Sequence, residues 1–150
     1  MITIRPAVAT DCQSLTELAL AAKAFWGYSD QQMAQFTPAL TVTDQMIARW
    51  QSGVLQESQG ATGFYLLDDD GAEAELMLLY VSPLHMGKGY GRQLFTAAIE
   101  AARKCGHLHI RIAADPHAGG FYRRMGARQS GWCRSHWNSA EELPLYRLKL

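Results

Sequence analysis

Glycine at every second position from Gly87 to Gly91, directly after an apolar run that breaks at Pro83, constrains this chain more than any other stretch. The segment reads Val81-Ser82-Pro83-Leu84-His85-Met86-Gly87-Lys88-Gly89-Tyr90-Gly91. Glycines so spaced let main-chain N–H groups converge without Cβ obstruction. The next residues, Arg92-Gln93-Leu94-Phe95-Thr96-Ala97-Ala98-Ile99, read as the start of a helix whose first-turn N–H groups favour negative charge. A strand, a glycine loop and a helix N-terminus in that order predict an anion site that suits a pyrophosphate. Two familiar phosphate loops are excluded by spacing. A P-loop needs Ser or Thr after its Gly-Lys pair, and Lys88 is followed by Gly89. A dinucleotide fingerprint needs a third glycine three residues after the second, and counting on from Gly91 lands on Leu94.

The 150 residues, 48% apolar and 19% charged, are ordinary for one globular domain spanning 1–150. No apolar run approaches the ~20 residues of a membrane span. Met1 to Pro6 reads as a strand rather than a signal peptide, so a cytoplasmic location is the default. Cys12, Cys105 and Cys133 lack the close spacing of a zinc or redox pair and are expected as free thiols, with Cys105 in the core. No metal is expected, because His107 and His109 share a strand face without further converging ligands. The net charge of zero hides an asymmetry. Residues 1–83 hold three Lys/Arg against ten Asp/Glu, and residues 84–134 hold nine against two. The basic segment contains the glycine loop, where Lys88, Arg92, Arg123, Arg124 and Arg128 are candidates to meet an anion, while the acidic segment suits a cationic amine. Neutral overall charge speaks against a nucleic-acid partner.

Ile2 to Ile4 reads as a strand, and Thr10-Asp11-Cys12-Gln13 as a capping box for a helix starting near Asp11 with Leu15, Leu18, Ala19 and Ala22 on its apolar face. Ser29 opens a second helix, carrying Met33 and Phe36, that Pro38 is expected to stop; Thr43 caps a further turn. Residues 53–57, 61–67 and 73–81 read as hairpin-linked strands, 91–105 as a helix, and 107–113 as a strand. A short helix follows over 119–125, then strands over 127–133 and 145–150. The strand-helix-strand crossover from Glu75 through Ile112 should be right-handed and parallel.

The glycine segment resembles the acetyl-CoA loop of the GNAT superfamily of N-acetyltransferases: Arg or Gln, two residues, Gly, one residue, Gly or Ala. Met86 stands where that family places Arg or Gln, which removes one side-chain donor that Lys88 and Arg92 are candidates to replace. Asp115-Pro116-His117-Ala118-Gly119-Gly120-Phe121-Tyr122-Arg123-Arg124-Met125-Gly126-Ala127 is similar to the family's later element, Asn-x-x-Ala-x-x-Phe-Tyr-x-x-x-Gly-Phe, with His117 read at the Asn position and Ala127 at the last Phe. The resemblance implies a mixed α/β fold, a twisted and mostly antiparallel sheet of about six or seven strands with one splayed parallel pair and about four flanking helices. It further implies acetyl-CoA as co-substrate, an amine-bearing acceptor and, as in many relatives, a possible homodimer. The cofactor-binding residues it implies are Leu79, Tyr80, Val81, Met86, Gly87, Lys88, Gly89, Tyr90, Gly91, Arg92, Asp115, His117, Phe121 and Arg124. Beside these, His117 is expected to contact cofactor or cap the short helix.

Acetyl transfer needs a neutral amine, and a free alkylamine has pKa ~10.4, so a base must take its proton. Glu75 is the candidate, sharing by alternation an apolar face with Met77, Leu79 and Val81 that would raise its pKa; the alternative is a strand-end carboxylate facing water. The main-chain N–H of Val81 is the candidate to meet the oxygen that gains charge, and Tyr122 to give a proton to the leaving thiolate. Trp26, Tyr28 and Trp132 are candidate acceptor contacts, with Phe36, Trp50 and Trp137 in the same regions. The expected activity is direct acetyl transfer in a ternary complex; the alternative is a non-catalytic acyl-CoA-binding sensor.

Overall fold

Apolar residues along 51–81, cut by two short polar turns, build the middle of a sheet. In the computed structural model, which describes residues 2–136, 138 and 140–150, seven strands form it among those residues. They are β1 (Thr3–Arg5), β2 (Gln51–Glu57), β3 (Gly60–Asp68), β4 (Ala74–Val81), β5 (His109–Ala113), β6 (Arg128–Arg134) and β7 (Glu142–Lys149), in the order β1-β2-β3-β4-β5-β7-β6. Neighbours run antiparallel except β4 and β5, which are parallel. That pair is joined in the ladder only at Ala74 with Ile110 and Glu75 with Arg111. Beyond these the strands diverge, as the resemblance implies, and 76–81 has no ladder partner on β5.

Among the described residues five α-helices flank the sheet: α1 (Cys12–Ala24), α2 (Asp30–Leu40), α3 (Asp44–Arg49), α4 (Tyr90–Lys104) and α5 (Gly119–Arg124). On one face α4 and α5 bury Leu94, Phe95, Ala98 and Tyr122 against Leu67, Leu76, Ile110 and Tyr146. On the other, α1 and α2 bury Leu15, Leu18, Ala19 and Phe36 against Val54, Phe64, Leu66 and Leu78. Phe95 is wholly buried, and truncating it to Ala would cost about 3–5 kcal/mol.

Several local expectations need correction. Thr10 and Gln13 form no capping box. The Asp11 carboxylate instead accepts the Val8 N–H at 2.8 Å and pairs with Arg5 at 2.8 Å, winding Ala9–Asp11 into a 3-10 turn ahead of α1, while Gln13 reaches Glu17. Pro38 does not stop α2, because so near the helix end its missing N–H forfeits only the bond to the Ala34 carbonyl. The Thr37 and Thr41 hydroxyls also donate to the Met33 and Thr37 carbonyls, at 2.8 and 2.7 Å. Ser29 and Thr43 cap α2 and α3 as read, accepting the N–H groups of Gln32 and Met46. Cys105 is exposed rather than in the core: α4 ends at Lys104, and the thiol donates to Asp69 at 3.2 Å.

The most consequential departure lies in β4. Leu66 pairs with Leu78 but Leu67 with Leu76, so Met77 is bulged out of the ladder. Alternation resets there. Met77, Leu78 and Tyr80 pack towards α1 and α2, whereas Leu79 and Val81 pack towards α4.

Candidate active site

The strand's end sets the site's backbone. The Ser82 N–H donates to the Thr62 carbonyl at 2.8 Å, towards β3. Successive amides of an extended strand point to opposite sides, so the Val81 N–H points towards the gap beside β5. Chain direction then changes over the 3-10 turn Pro83–His85 and the glycine loop. Gly87 and Gly89 both have φ +80, a conformation that favours glycine, and a Cβ at either would meet nothing within 4 Å, so the loop's outer side is open. Gly89 is the N-cap of α4 and supplies no side chain, leaving the N–H groups of the first turn for a ligand.

A network absent from the sequence reading anchors this loop. The Tyr90 hydroxyl donates to the Glu57 carboxylate, the His85 ring stacks on Tyr90 at 6.1 Å and 18°, and His85 Nε2 lies 3.7 Å from the same carboxylate. Glu57 ends β2, far from the loop in sequence, and no local pattern announces the pairing.

Around the loop lies a cleft of about 720 Å³. Leu79, Tyr80, Val81, Met86, Gly87, Gly89, Tyr90, Gly91, Arg92, Asp115, His117, Phe121, Tyr122 and Arg124 line it, as does Trp26. Lys88 does not; its side chain is exposed on the loop. Arg123 donates to the Tyr146 hydroxyl at 2.7 Å, and Arg128 lies on β6 opposite Arg147. The expected gathering of basic residues thus reduces at the cleft to Arg92 and Arg124. The open loop, the uncapped helix start and these two guanidinium groups fit a bound pyrophosphate.

Tyr122 sits where α5 meets the sheet, its ring 5.5 Å from Phe95, 5.1 Å from Phe121 and 6.1 Å from Tyr146. Burial, with smaller contributions from Tyr80 and Asp115, pushes its phenol well above the ordinary tyrosine range, so the hydroxyl keeps its proton. Burial does the same for Tyr80.

Glu75 lies elsewhere than expected. It lines a second cleft of about 360 Å³, with Phe36, Trp50, Met77, Tyr80 and Glu141 among its walls. Because of the Met77 bulge it does not share a face with Leu79 and Val81. Its surroundings are not apolar either: Arg111 Nη1 stands 3.4 Å and His136 Nε2 2.6 Å from its carboxylate oxygens.

Asp115 is the hub between the two clefts and lines both. It accepts from Lys23 Nζ at 2.5 Å, the Tyr28 hydroxyl at 2.8 Å and the His117 N–H at 2.8 Å. Burial would raise this carboxyl, but the Lys23 ammonium and the other donors outweigh it and hold it below the usual range. Tyr28 is pushed up by burial and by Asp115, and lines neither cleft. His117 does not cap the short helix, whose N-cap, Ala118, makes no side-chain hydrogen bond; the Asp115 carboxylate instead caps the 3-10 turn Pro116–Ala118 just ahead of it, accepting the His117 N–H. Counting back from Tyr122 through the motif gives the same answer, setting Asp115 rather than His117 at the family's Asn. His117 instead stacks on Trp26 at 5.1 Å and 10°.

Trp132 is 62% exposed on β6 and lines neither cleft, because β6 is the sheet's edge beyond β7. Trp137 lies outside the described residues. Sequence reading missed Lys23, whose signal was a lysine one position beyond the apolar stripe of α1. It also missed Glu141, which carries no motif. No trio of His, Cys, Asp or Glu among the described residues is placed to hold a metal, and no helix among them is long and apolar enough to cross a membrane.

The model of the acetyltransferase (GNAT) domain family matches residues 26–134. The chain is 30% identical over 125 residues to an L-methionine sulfoximine/L-methionine sulfone acetyltransferase of Salmonella typhimurium, covering 75% of this chain and 69% of that one. Its fold resembles that of the PaiA N-acetyltransferase of Thermoplasma acidophilum in complex with coenzyme A, with a TM-score of 0.83, 19% identity, and 100% and 99% of the two chains covered. It likewise resembles yncA of Salmonella typhimurium with its cofactor acetyl-CoA, with a TM-score of 0.70, 22% identity, and 100% and 94% covered. With the family model matched over more than half of its length and a named acetyltransferase 30% identical to it, the chain belongs to the GNAT family of N-acetyltransferases, which use acetyl-CoA.

Proposed function

We propose that this protein moves the acetyl group of acetyl-CoA directly to a primary amine, both substrates lying together across the gap between β4 and β5. The observation that carries this reading is that the two clefts meet there, sharing Leu76, Met77, Leu78, Tyr80, Ala113 and Asp115. Acetyl-CoA supplies an activated acyl group on a thioester. The chain's own residues do the rest.

N–H groups of the loop and the first turn of α4, with Arg92 and Arg124, hold the pyrophosphate and so fix the thioester's position. The Val81 N–H, free of the β3 ladder, donates to the carbonyl oxygen as it gains charge. Glu75, on the acceptor side of the gap, takes the amine's proton directly or through a water. Tyr122 keeps a proton ready for the leaving sulfur. No residue need become acylated. The named activity of the Salmonella relative on small amino-acid analogues supports a small-molecule acceptor.

Thiol release from acetyl-CoA, followed with a panel of small primary amines, tests the reading. Release that depends on the amine supports it. Saturable acetyl-CoA binding without release across the panel would overturn it in favour of an acyl-CoA sensor.

A further inference from the structure

Resting on the acetyl-transfer reading, we infer that the acceptor is an apolar amine that carries no carboxylate, and that the carboxylate of Glu141, which has no ion pair or hydrogen bond among the described residues, selects it. The second cleft is walled by Phe36, Met46, Trp50, Met77 and Leu143, which suit an aliphatic or aromatic body. Its charge is one-sided: Glu75, Asp115 and Glu141 line it against a single lysine, Lys23, and one histidine, His136.

Both cations are already held. Lys23 Nζ is 2.5 Å from Asp115 and 4.3 Å from the Phe36 ring centroid, and His136 Nε2 is 2.6 Å from Glu75. Two of the carboxylates are held as well, Asp115 by Lys23, Tyr28 and His117, and Glu75 by Arg111 and His136. Glu141 differs. Its main chain is fixed in a turn, the N–H donating to the Asn138 carbonyl at 3.0 Å and the carbonyl accepting from the Ser135 N–H at 2.9 Å. Its side chain has no ion pair or hydrogen bond among the described residues. It is close enough to the Tyr28 hydroxyl to help raise that phenol, so its charge is felt at the Asp115 end of the cleft, where the two clefts join.

An ammonium entering this cleft meets a carboxylate that no cation among the described residues pairs with. A ligand carboxylate meets the same group, with Lys23 and His136 already committed. Further donors on the wall, the Trp50 indole N–H and the Tyr80 hydroxyl, are neutral and bring no charge to offset it. Attraction for one ligand and repulsion of the other make a specificity filter. Amino acids of the kind named for the Salmonella relative, which carry an α-carboxylate, should therefore be poor acceptors for this chain.

Matched pairs test this. Thiol release is measured with 2-phenylethylamine against L-phenylalanine, and with 3-(methylsulfonyl)propylamine against L-methionine sulfone, each pair differing only by the carboxylate; L-phenylalaninamide serves as the neutralised control. The amine of each pair is expected to exceed its amino acid in kcat/KM by at least ~10-fold, with the amide close to the amine. Glu141→Gln should lower kcat/KM for the amine and bring that ratio towards unity, with the KM for acetyl-CoA unchanged. An amino acid that equals or exceeds its amine overturns the inference and leaves acetyl transfer standing. A ratio untouched by Glu141→Gln overturns the role of that residue. No release with any of the five compounds, while acetyl-CoA still binds, overturns both readings together.

Discussion

At the residue scale the site turns on two side chains on which burial acts alike, raising the pKa of each, and which a charged partner sets apart. Tyr122 has no charged neighbour to stabilise a phenolate, so burial raises its pKa and it stays a proton donor. A donor acts only while protonated. An alkaline fall in kcat below pH ~10, the ordinary tyrosine value, would therefore belong to another group. Tyr122→Phe should lower kcat by ~10²–10⁴-fold with the KM for acetyl-CoA nearly unchanged, read by steady-state kinetics. Asp115 is held charged by Lys23, and both side chains are close to nine-tenths buried. Asp115→Ala leaves that ammonium unpaired and should cost about 3–5 kcal/mol, seen as a lower Tm. Because the folded pKa is depressed, the pair's stabilisation is present above the unfolded carboxyl value of ~3.9 and is lost as pH falls through the lower folded one. Wild type should lose stability across that acid window, and Asp115→Asn should lose less. Tyr122 was legible from its Phe-Tyr motif. The Lys23–Asp115 pair was not, since its members are 92 positions apart and no local rule joins them.

At the scale of elements, the succession of strands and helices along the chain and the glycine loop were legible because period-two alternation and turn residues act locally. What escaped were the places where a ladder or a tertiary contact overrides them. Alternation put Glu75 on a face with Leu79 and Val81; one bulged residue, Met77, reverses that face, and a bulge leaves no mark in residue type. Cys105 followed Ala101 on a helical stripe, but the helix ended one residue sooner. The loop itself makes a sharp test. At φ +80, alanine in place of Gly89 is strained by about 1–2 kcal/mol, yet its Cβ enters open space, so the fold should survive. The added methyl projects from the open side of the loop, where the pyrophosphate is proposed to lie. Gly89→Ala should raise the KM for acetyl-CoA by at least ~10-fold, with a modest loss of Tm and a smaller change in kcat. A KM unchanged beside that Tm loss would remove the loop from cofactor binding.

Across the whole molecule, the neutral chain divides into an acidic segment, residues 1–83 at net −7, and a basic one, residues 84–134 at net +7. Folding does not leave these as two uniform faces. Lys23 is spent on Asp115, Arg111 on Glu75 and Arg147 on Glu73, so much of the opposite charge cancels within the structure. At the two clefts, the charges without an ion pair among the described residues are Arg92 and Arg124 at the first and Glu141 at the second. Salt should act on these charges more than on stability. The screening length falls from ~10 Å at 0.1 M to ~3 Å at 1 M, which weakens attraction for an approaching polyanion but not close buried pairs. The KM for acetyl-CoA should therefore rise ~3–10-fold between about 0.05 and 0.5 M salt, while Tm changes little. Arg92→Ala with Arg124→Ala should raise KM at low salt and flatten that slope. Lys88→Ala should leave the slope nearly as it was, because Lys88 is exposed and does not line the cleft despite sitting between two of its glycines. A slope abolished by Lys88→Ala and kept by the double variant would mean that long-range steering by the exposed loop, rather than contact inside the cleft, sets the affinity for the cofactor.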